Sequence, residues 1–428
     1  MEQESGHRSL DLTITNARIR GRDGIFNVTV ENGKIARIDK HFAASGADET
    51  IDANGKLVTP SFVNTHVHLD KCLTGEWIRT TSDATTGSQD VIPAATMVKK
   101  RFTEEDIRER AGRAIELSVS RGCTLIRAFA DVDTIGGLTA LKGLIQAKKD
   151  HSNIADLQIV AFPQEGIIRD EGTEELLYKA MELGADLVGG IPWYETTNED
   201  SVRHTNIVFE IAKRFDKDIH MLVDDTEDPA ARNIEYLLVK TLRENYIGRV
   251  AATHCRGALD SPNDAYAKKI VALAKKAEIT IVENPHISLM MYGRNDKYPI
   301  RRGITRVREF MKAGINVATG QDDIDDPYYP FGRGDMLELA YFMCHSAFLG
   351  SPSEFEAAYD MITFNGAKAL RLENYGMGLG CLANLVILDA KDVHEALQMQ
   401  SERLYVIRNG RVVARNKIDR ELINPSKT

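Results

Sequence analysis

Short apolar runs alternate with helix-like segments through the middle of the chain. There are eight such runs, and most intervals between them carry the mixed apolar and charged pattern of an amphipathic helix. Runs this apolar indicate strands buried on both faces, as in a parallel sheet. Eight strand–helix units predict an α/β fold of the (β/α)8 TIM-barrel type, since no GxGxxG follows the first strand to favour a doubly wound sheet. The runs are 56–70, 123–133, 157–166, 186–192, 218–225, 248–255, 278–285 and 315–323.

The two ends of the chain carry a different pattern. Short runs of mixed alternation, with hairpin turns at Asn32-Gly33 and Asn409-Gly410, predict β-strands. Segments 1–60 and 372–428 are therefore predicted to pair into a small β-sandwich. The barrel is predicted to occupy 61–371.

Polar side chains close several of the eight runs. The carboxyl ends of parallel barrel strands meet on one face, which is where catalytic sites of such barrels lie. We therefore expect these side chains to converge on one site. They are His66, His68, Asp131, Asp133, Gln164, Glu165, Asp224, Asp225, His254, Asp322 and Asp323.

Charge and composition exclude some classes of partner. The net charge of −9 argues against nucleic-acid binding, which needs clustered Lys and Arg. No apolar run approaches the ~20 residues that span a bilayer, and the first residues lack the pattern of a secretory signal. The five cysteines are scattered and form no disulfide framework, so a cytoplasmic location is expected.

The strongest local signal is the HVH of His66 and His68. Residues i and i+2 on a strand point to the same side, so both imidazoles could bind one metal at about 2.0–2.1 Å. The alternative is a pair of buried, hydrogen-bonded histidines. Their position at the end of the first barrel strand favours the metal.

Three further strand ends offer chemistry. His254 could polarise a carbonyl or a water and accept a proton near neutral pH. Of the adjacent Asp322 and Asp323, one carboxylate could ligate the metal and take a proton, or the pair could cap a helix. The amide of Gln164 both donates and accepts, which suits a ring with neighbouring C=O and N–H groups, although a surface glutamine is the alternative.

Five stretches outside and around these residues carry a family resemblance. The chain resembles the amidohydrolase superfamily, in its branch of cytosine deaminase-like and N-isopropylammelide amidohydrolase-like enzymes, over nearly its whole length. The resemblance implies a barrel with a terminal β-sandwich, one divalent zinc or iron ion, and a water that attacks a ring carbon and expels ammonia or an amine. It also suggests a homo-oligomer. The stretches are VTPSFVNTHVHLDK, VAFPQEGI, LGADLVGGIP, ENP…GRNDKYPIRRGITRV and GINVATGQDDIDDPYYPFG.

The resemblance also implies roles for individual residues. His66, His68 and Asp322 would be metal ligands, with Asp322 also taking part in proton transfer. His254 would lie near the attacked carbon. Gln164 would read the ring amide, and Asp323 and Tyr328 would lie in the stretch that lines the substrate pocket.

The fifth strand, DIHMLVDD, departs from the family pattern. The family has a ligand histidine with a glutamate three residues later, whereas here Val223 lies three residues after His220. An alignment without gaps puts Leu222 on the ligand position and Asp225 on the glutamate position. Our interpretation is that His220 ligates from two residues deeper, with Asp225 or Asp224 as the acid. A second departure is Gln321, where cytosine deaminases carry histidine.

The sequence thus predicts a metal-dependent hydrolase that deaminates a small nitrogen heterocycle. Cytosine, isocytosine, an aminotriazine or a creatinine-like ring would fit the constellation of strand-end residues. One alternative is ring-opening hydrolysis of a cyclic amide. Another is a catalytically degraded relative that only binds a ligand, because the usual fifth-strand histidine and glutamate are missing.

Overall fold

The computed structural model describes residues 10–40, 47–79, 91–294 and 296–423. The chain forms two compact units. One is drawn from Met1–Ser61, Val119–Gly122 and Asn374–Thr428, and the other from Phe62–Ser118 and Cys123–Glu373. Both ends of the chain therefore contribute to the same unit.

That terminal unit is built on one eight-stranded sheet. Strand β1 pairs with β2, β4 and β5, and β5 pairs antiparallel with β14, which joins the two ends of the chain. Apolar side chains such as Leu12, Val28 and Ile387 are fully buried against it. The prediction that the termini build a small β-sandwich stays a prediction. The strands are β1 (Leu10–Ile19), β2 (Phe26–Glu31), β3 (Lys34–Asp39), β4 (Ala47–Asp52), β5 (Leu57–Pro60), β14 (Leu385–Leu388), β15 (Arg403–Arg408) and β16 (Arg411–Arg415).

The other unit is a (β/α)8 barrel. Its eight strands are parallel and follow one another in chain order from β6 to β13, and a parallel bridge between Val67 and Asp322 links the two ends of the sheet. Seven of the eight predicted runs contain one of these strands, and the eighth, 157–166, begins one residue after the start of its strand. They are β6 (Phe62–Val67), β7 (Cys123–Asp131), β8 (Asp156–Phe162), β9 (Leu187–Gly190), β10 (Asp218–Val223), β11 (Val250–His254), β12 (Thr280–Glu283) and β13 (Asn316–Thr319).

One run, 56–70, was predicted as a single strand and forms two. Its first part is β5 of the terminal sheet and its second part is β6 of the barrel. Pro60 has no N–H to continue a ladder, and the N–H of Ser61 donates to the carbonyl of Asn384 at 2.8 Å. The unbroken apolar run therefore contains two strands that belong to different sheets.

Helices fill the intervals between the barrel strands. Within the described ranges, none is long and apolar enough to cross a membrane. They are α1 (Gly75–Arg79), α2 (Val91–Lys99), α3 (Glu104–Ser120), α4 (Thr139–Asp150), α5 (Thr173–Glu182), α6 (Asn198–Phe215), α7 (Asn233–Arg243), α8 (Asp264–Ala277), α9 (Pro285–Met291), α10 (Val307–Lys312), α11 (Met336–Ser346), α12 (Pro352–Met361) and α13 (Phe364–Ala369), with α14 (Val393–Met399) in the terminal unit and a 3-10 turn at Pro192–Tyr194.

Helix α6 shows why these segments are helical. The side chain of Thr197 accepts a hydrogen bond from the N–H of Asp200 and so caps the first turn. Acidic residues occupy that turn and basic residues the last one, in accord with the helix dipole. The face that carries His204 and Val208 is buried. Local sequence thus sets both the ends and the inward face of the helix.

Candidate active site

The closure of the barrel brings the HVH pair to Asp322. The N–H of His68 donates to the carbonyl of Asp322 at 2.7 Å, and the N–H of Asp322 donates to the carbonyl of His66 at 2.8 Å. Asp322 Oδ1 consequently lies 3.1 Å from His66 Nε2 and 3.6 Å from His68 Nε2, and its Oδ2 lies 3.6 Å from His254 Nε2. All four side chains are buried.

The atoms around Asp322 suit a cation. Although His66 Nε2 is close to Asp322, it has no hydrogen-bond partner of acceptable geometry among the described residues. Burial by itself would raise the pKa of Asp322, but the imidazoles of His66 and His254 hold it well below its usual range. An ionised carboxylate beside an unused imidazole nitrogen is a donor set that zinc or iron accepts.

A second group of possible ligands already holds a positive charge. His68, Asp70 and Asp131 converge closely enough to bind an ion. The Lys71 ammonium lies among them, 2.9 Å from His68 Nδ1, 3.0 Å from Asp131 Oδ1 and 3.4 Å from Asp70 Oδ1. The lysine side chain therefore occupies the place a second metal would need.

His220 lies outside the group around Asp322. Arg127 Nη1 is 3.3 Å from His220 Nδ1, and because a guanidinium can only donate, the neutral ring carries its proton on Nε2. That nitrogen donates to Thr253 Oγ1 at 2.5 Å, and the same hydroxyl lies 3.2 Å from His66 Nδ1. Both nitrogens of His220 are thus occupied, and it reaches His66 through Thr253 rather than ligating beside it.

Leu222 stands nearer the cavity on the same strand. It is 5% exposed and packs with Phe129, Phe162 and Ile191. An apolar side chain therefore occupies the depth at which the family pattern has a ligand. Strand β10 offers no metal-binding atom there.

The two aspartates that follow β10 have different surroundings. Asp224 is buried, and its carboxylate accepts hydrogen bonds from the N–H groups of Asn233 and Ile234 at 3.0 Å each, at the start of α7. Asp225 lines the cavity and is paired with Arg256. Asp224 therefore caps a helix, and Asp225 is the acid that faces the site.

Four residues at or just after strand ends have strained backbones. The φ angles of Asp224, His254, Cys255 and Asp322 are +49°, +69°, +50° and +58°. Non-glycine residues in this region cost about 1–3 kcal/mol each and cluster at functional sites.

Burial lowers the pKa of His254 to about 4, so its ring is neutral at pH 7.

The side chains around Asp322 form the floor of a cavity of about 340 Å³. Its lining combines apolar and aromatic side chains with polar and charged ones, which suits a flat ring with polar edges. The apolar and aromatic lining residues are Ile191, Trp193, Tyr194, Leu222, Ile287 and Met291. The polar and charged ones, besides those around Asp322, are Gln164, Asp225, Thr226, Glu227, Arg256, Tyr292, Asp323 and Tyr328.

Two buried donors in the cavity lining lack partners among the described residues. No acceptor among the described residues reaches Trp193 Nε1 or the hydroxyl of Tyr328. Asp323, beside them, shares a buried contact with Asp326, and burial and that neighbour raise its pKa well above the usual value. A ligand with hydrogen-bond acceptors would supply the missing partners of these two donors.

Gln321, the second departure from the family pattern, faces a histidine from another strand end. Its Nε2 lies 3.2 Å from His286 Nε2, and burial lowers the pKa of His286 to about 4. An amide N–H that donates to Nε2 leaves the proton of the neutral ring on Nδ1. His286 thus places an imidazole beside the position where the family has one.

Sequence reasoning did not single out Lys71, Arg256, Tyr292 or His286. Lys71 lies inside the HVHLDK stretch and Arg256 two residues after His254, so proximity to a motif was the available signal. His286 directly follows ENP and Tyr292 directly precedes GRNDKYPIRRGITRV, so the same signal was available for both. Their roles depend on contacts between separate strand ends.

Comparisons with known proteins agree on one family. A model of the amidohydrolase family matches residues 84–414. The chain is 30% identical over 421 residues to N-isopropylammelide isopropyl amidohydrolase of Pseudomonas sp. (strain ADP), which covers 96% of this chain and 99% of that protein. It is 26% identical over 400 residues to pterin deaminase of Rhizobium rhizogenes, with 92% and 90% covered.

A solved structure extends the similarity to three dimensions. The chain superimposes on 5-methylcytosine deaminase from Klebsiella pneumoniae liganded with 5-fluorocytosine with a TM-score of 0.91. The two are 36% identical, and the match covers 97% of this chain and 100% of the other. These relatives are hydrolases and deaminases that act on C–N bonds.

Proposed function

Because the chain belongs to the amidohydrolase family, in its cytosine deaminase-like branch of C–N hydrolases, we propose that it releases ammonia or an amine from a small nitrogen heterocycle. The substrate would be a cytosine-like pyrimidine or a related triazine. The observation that carries this proposal is the convergence of His66, His68 and Asp322 with Asp225 and His254 on one cavity.

We assign one divalent ion, zinc or iron, to His66, His68 and Asp322. Three protein ligands are the usual number in a catalytic zinc site. A bound ion supplies the Lewis acidity that makes water a nucleophile near neutral pH. While Lys71 donates to His68 Nδ1, the proton of that ring is on Nε2, so metal uptake by His68 releases one proton.

The chain's own residues then move protons and hold the ring. Asp225 Oδ1 accepts from Tyr292 and Arg256, which leaves Oδ2 to carry a proton from the water to the leaving nitrogen. His254 donates from Nε2 toward the reacting centre. Gln164, Asp323 and Tyr328 bind the polar edge of the ring, and the aromatic lining residues Trp193 and Tyr194 pack on its face.

The direct test is release of ammonia or amine from a panel of rings by protein of known metal content. Cytosine, 5-methylcytosine, isocytosine, aminotriazines, pterins and creatinine form the panel. Turnover of any of them, lost on chelation, supports the proposal. Silence across the panel with one ion bound per chain would reject deamination and favour ring opening of a cyclic amide.

The binding-only alternative rests on the absence of a ligand histidine at Leu222. It requires that freshly purified protein hold no tightly bound metal, and that Asp322→Ala change no activity. About one zinc or iron per chain would rule it out. A homo-oligomer, a cytoplasmic location and the terminal β-sandwich stay predictions.

Thr253→Val is expected to lower metal affinity by about 10- to 100-fold, the usual effect of losing a hydrogen bond to a ligating histidine. The valine removes the hydroxyl that joins His220 to His66. Competition with a chelator of known affinity measures the change. The control is Thr241→Val, whose buried hydroxyl donates, within the part of the chain that the structure describes, only to the helix carbonyl of Leu237. Unchanged affinity in Thr253→Val would contradict the prediction.

Tyr328→Phe is expected to raise KM about tenfold, equivalent to about 1.4 kcal/mol, while raising the melting temperature. The hydroxyl is buried without a hydrogen-bond partner among the described residues, so its removal should stabilise the free protein. In the complex the same removal deletes a hydrogen bond to the substrate, so binding should weaken. Steady-state kinetics and a thermal melt measure both effects. Tyr266→Phe removes another unpartnered buried hydroxyl, outside the cavity lining, and should change the melt alone. An unchanged KM in Tyr328→Phe would refute the contact.

A further inference from the structure

Arg256 is a buried cation at the edge of the cavity. It lies two residues beyond the end of β11 and is 2% exposed. Its guanidinium lies over the ring of Tyr292, with its carbon 3.6 Å from the ring centroid. Burying a charge is costly unless its donors are used, so the partners of this side chain are informative.

One partner is the imidazole of His254. Arg256 Nη2 lies 2.8 Å from His254 Nδ1. A guanidinium has donors and no acceptor, so Nδ1 must be unprotonated to make this contact. The single proton of the ring is then on Nε2, which lies 3.6 Å from Asp322 Oδ2 and lines the cavity.

A second partner is the carboxylate of Asp225. Arg256 Nη2 also donates to Asp225 Oδ1, and the hydroxyl of Tyr292 donates to the same oxygen at 2.7 Å. Two donors on Oδ1 fix the orientation of the carboxylate. Asp225 lines the cavity, and Oδ2 is the carboxylate oxygen that these two donors leave available there.

The guanidinium of Arg256 is also held by hydrogen bonds outside the cavity. Its Nη1 donates to Ser288 Oγ at 2.9 Å, and that hydroxyl lies 2.6 Å from Glu283 Oε1. The other oxygen of Glu283 accepts from the N–H of Thr305 at 3.0 Å. Arg256 is therefore held by α9 and by the end of β12, independently of the two groups it contacts in the cavity.

We propose that Arg256 is a positioning residue, which fixes His254 as the Nε2–H tautomer and turns Asp225 so that Oδ2 is the reactive oxygen. The tautomer makes His254 a hydrogen-bond donor at the reacting centre. The role in turnover rests on the proposed deamination, whereas the tautomer does not.

The test is the protonation pattern of His254 by NMR of protein labelled with 15N-histidine. Spectra would be recorded for the zinc-loaded chain and for the same chain after chelation, with His254→Asn used to assign the signals. The wild type is expected to show an unprotonated Nδ1 and a protonated Nε2 in both forms. A protonated Nδ1, or Nε2 bound to zinc, would overturn the proposal.

Two substitutions test whether Arg256 is the cause. In Arg256→Met the proton is expected to distribute over both nitrogens, and in Arg256→Lys the ammonium should restore the wild-type pattern. Arg403→Met removes another buried guanidinium, from the terminal unit, and should leave His254 unchanged. An unaltered His254 pattern in folded Arg256→Met would refute the assignment, and the wild-type spectrum decides the tautomer even if that variant does not fold.

Kinetics give the second readout. Arg256→Met is expected to lower kcat by about 10²- to 10³-fold while KM changes less than about tenfold, because proton transfer is impaired more than ring binding. Arg256→Lys should recover part of kcat. An equal loss in Arg256→Met and Arg403→Met would count against positioning. Absence of turnover in the wild type would refute the proposed function and leave the NMR result standing.

Discussion

His66→Ala is expected to remove the metal and to lower turnover by about 10³-fold or more. A Lewis acid contributes several kcal/mol to such reactions, and each ~1.4 kcal/mol is a factor of ten in rate. His66 is fully buried and has a ring nitrogen without a hydrogen-bond partner among the described residues, facing the Asp322 carboxylate. Elemental analysis per chain and the rate of ammonia release measure the two losses together.

Two other buried histidines serve as controls for this result. His220→Asn should keep one ion per chain at saturating metal, because both nitrogens of His220 bond Arg127 and Thr253. His204→Gln should keep the metal as well, since His204 bonds Glu195 instead. If His220→Asn loses metal as completely as His66→Ala, then His220 is a ligand as the sequence suggested, and our assignment of β10 is wrong.

Asp225→Asn is expected to lower kcat by about 10²- to 10⁴-fold with the metal retained. An amide cannot take a proton from water at neutral pH, and general acid–base groups contribute within this range. The isosteric change keeps an oxygen for Arg256 and Tyr292, so the fold should survive. Single-turnover rates at measured metal content give the size of the effect.

The neighbouring residue supplies the matched comparison. Asp224→Asn should lower the free energy of unfolding by about 1 kcal/mol or more, because the amide nitrogen would face an N–H at the start of α7. Its kcat per folded chain should stay close to the wild type. The reverse pattern, with Asp224→Asn inactive and Asp225→Asn active, would exchange the two roles.

The barrel was largely predictable because its signal is local. Each strand is a short apolar run and each interval an amphipathic segment, and hydrophobic periodicity reports this directly. The exception was 56–70, where Pro60 and Ser61 divide one apolar run between two sheets. Which sheet a strand joins depends on the neighbouring strand with which it pairs, and the sequence pattern of a single strand does not contain this information.

Part of the candidate site was also local. The HVH pair required only that residues i and i+2 face one side, and Asp322 ends the last barrel strand in a stretch typical of the family. The strand pattern predicts the HVH pair, and the family resemblance implies Asp322. The barrel closure at Val67 and Asp322 brings them together.

The meaning of DIHMLVDD was decided by the tertiary structure. Alternation along a strand puts His220, Leu222 and Asp224 on one side of β10. It does not tell which of these residues lies level with the metal site, or at which residue the alternation ends. It ends at Asp224, whose φ of +49° turns its carboxylate to α7 and leaves Asp225 to face the cavity. Arg127, from another strand, contacts His220, and Arg256 contacts both Asp225 and His254.

The sequence by itself therefore determined the eight-stranded barrel, the family and the strand ends that bear polar groups. Only the tertiary structure shows which partner each of these groups has, and so which role we propose for it. The physical reason is that a role depends on the donor or acceptor opposite each atom, and in a barrel that partner comes from a different strand.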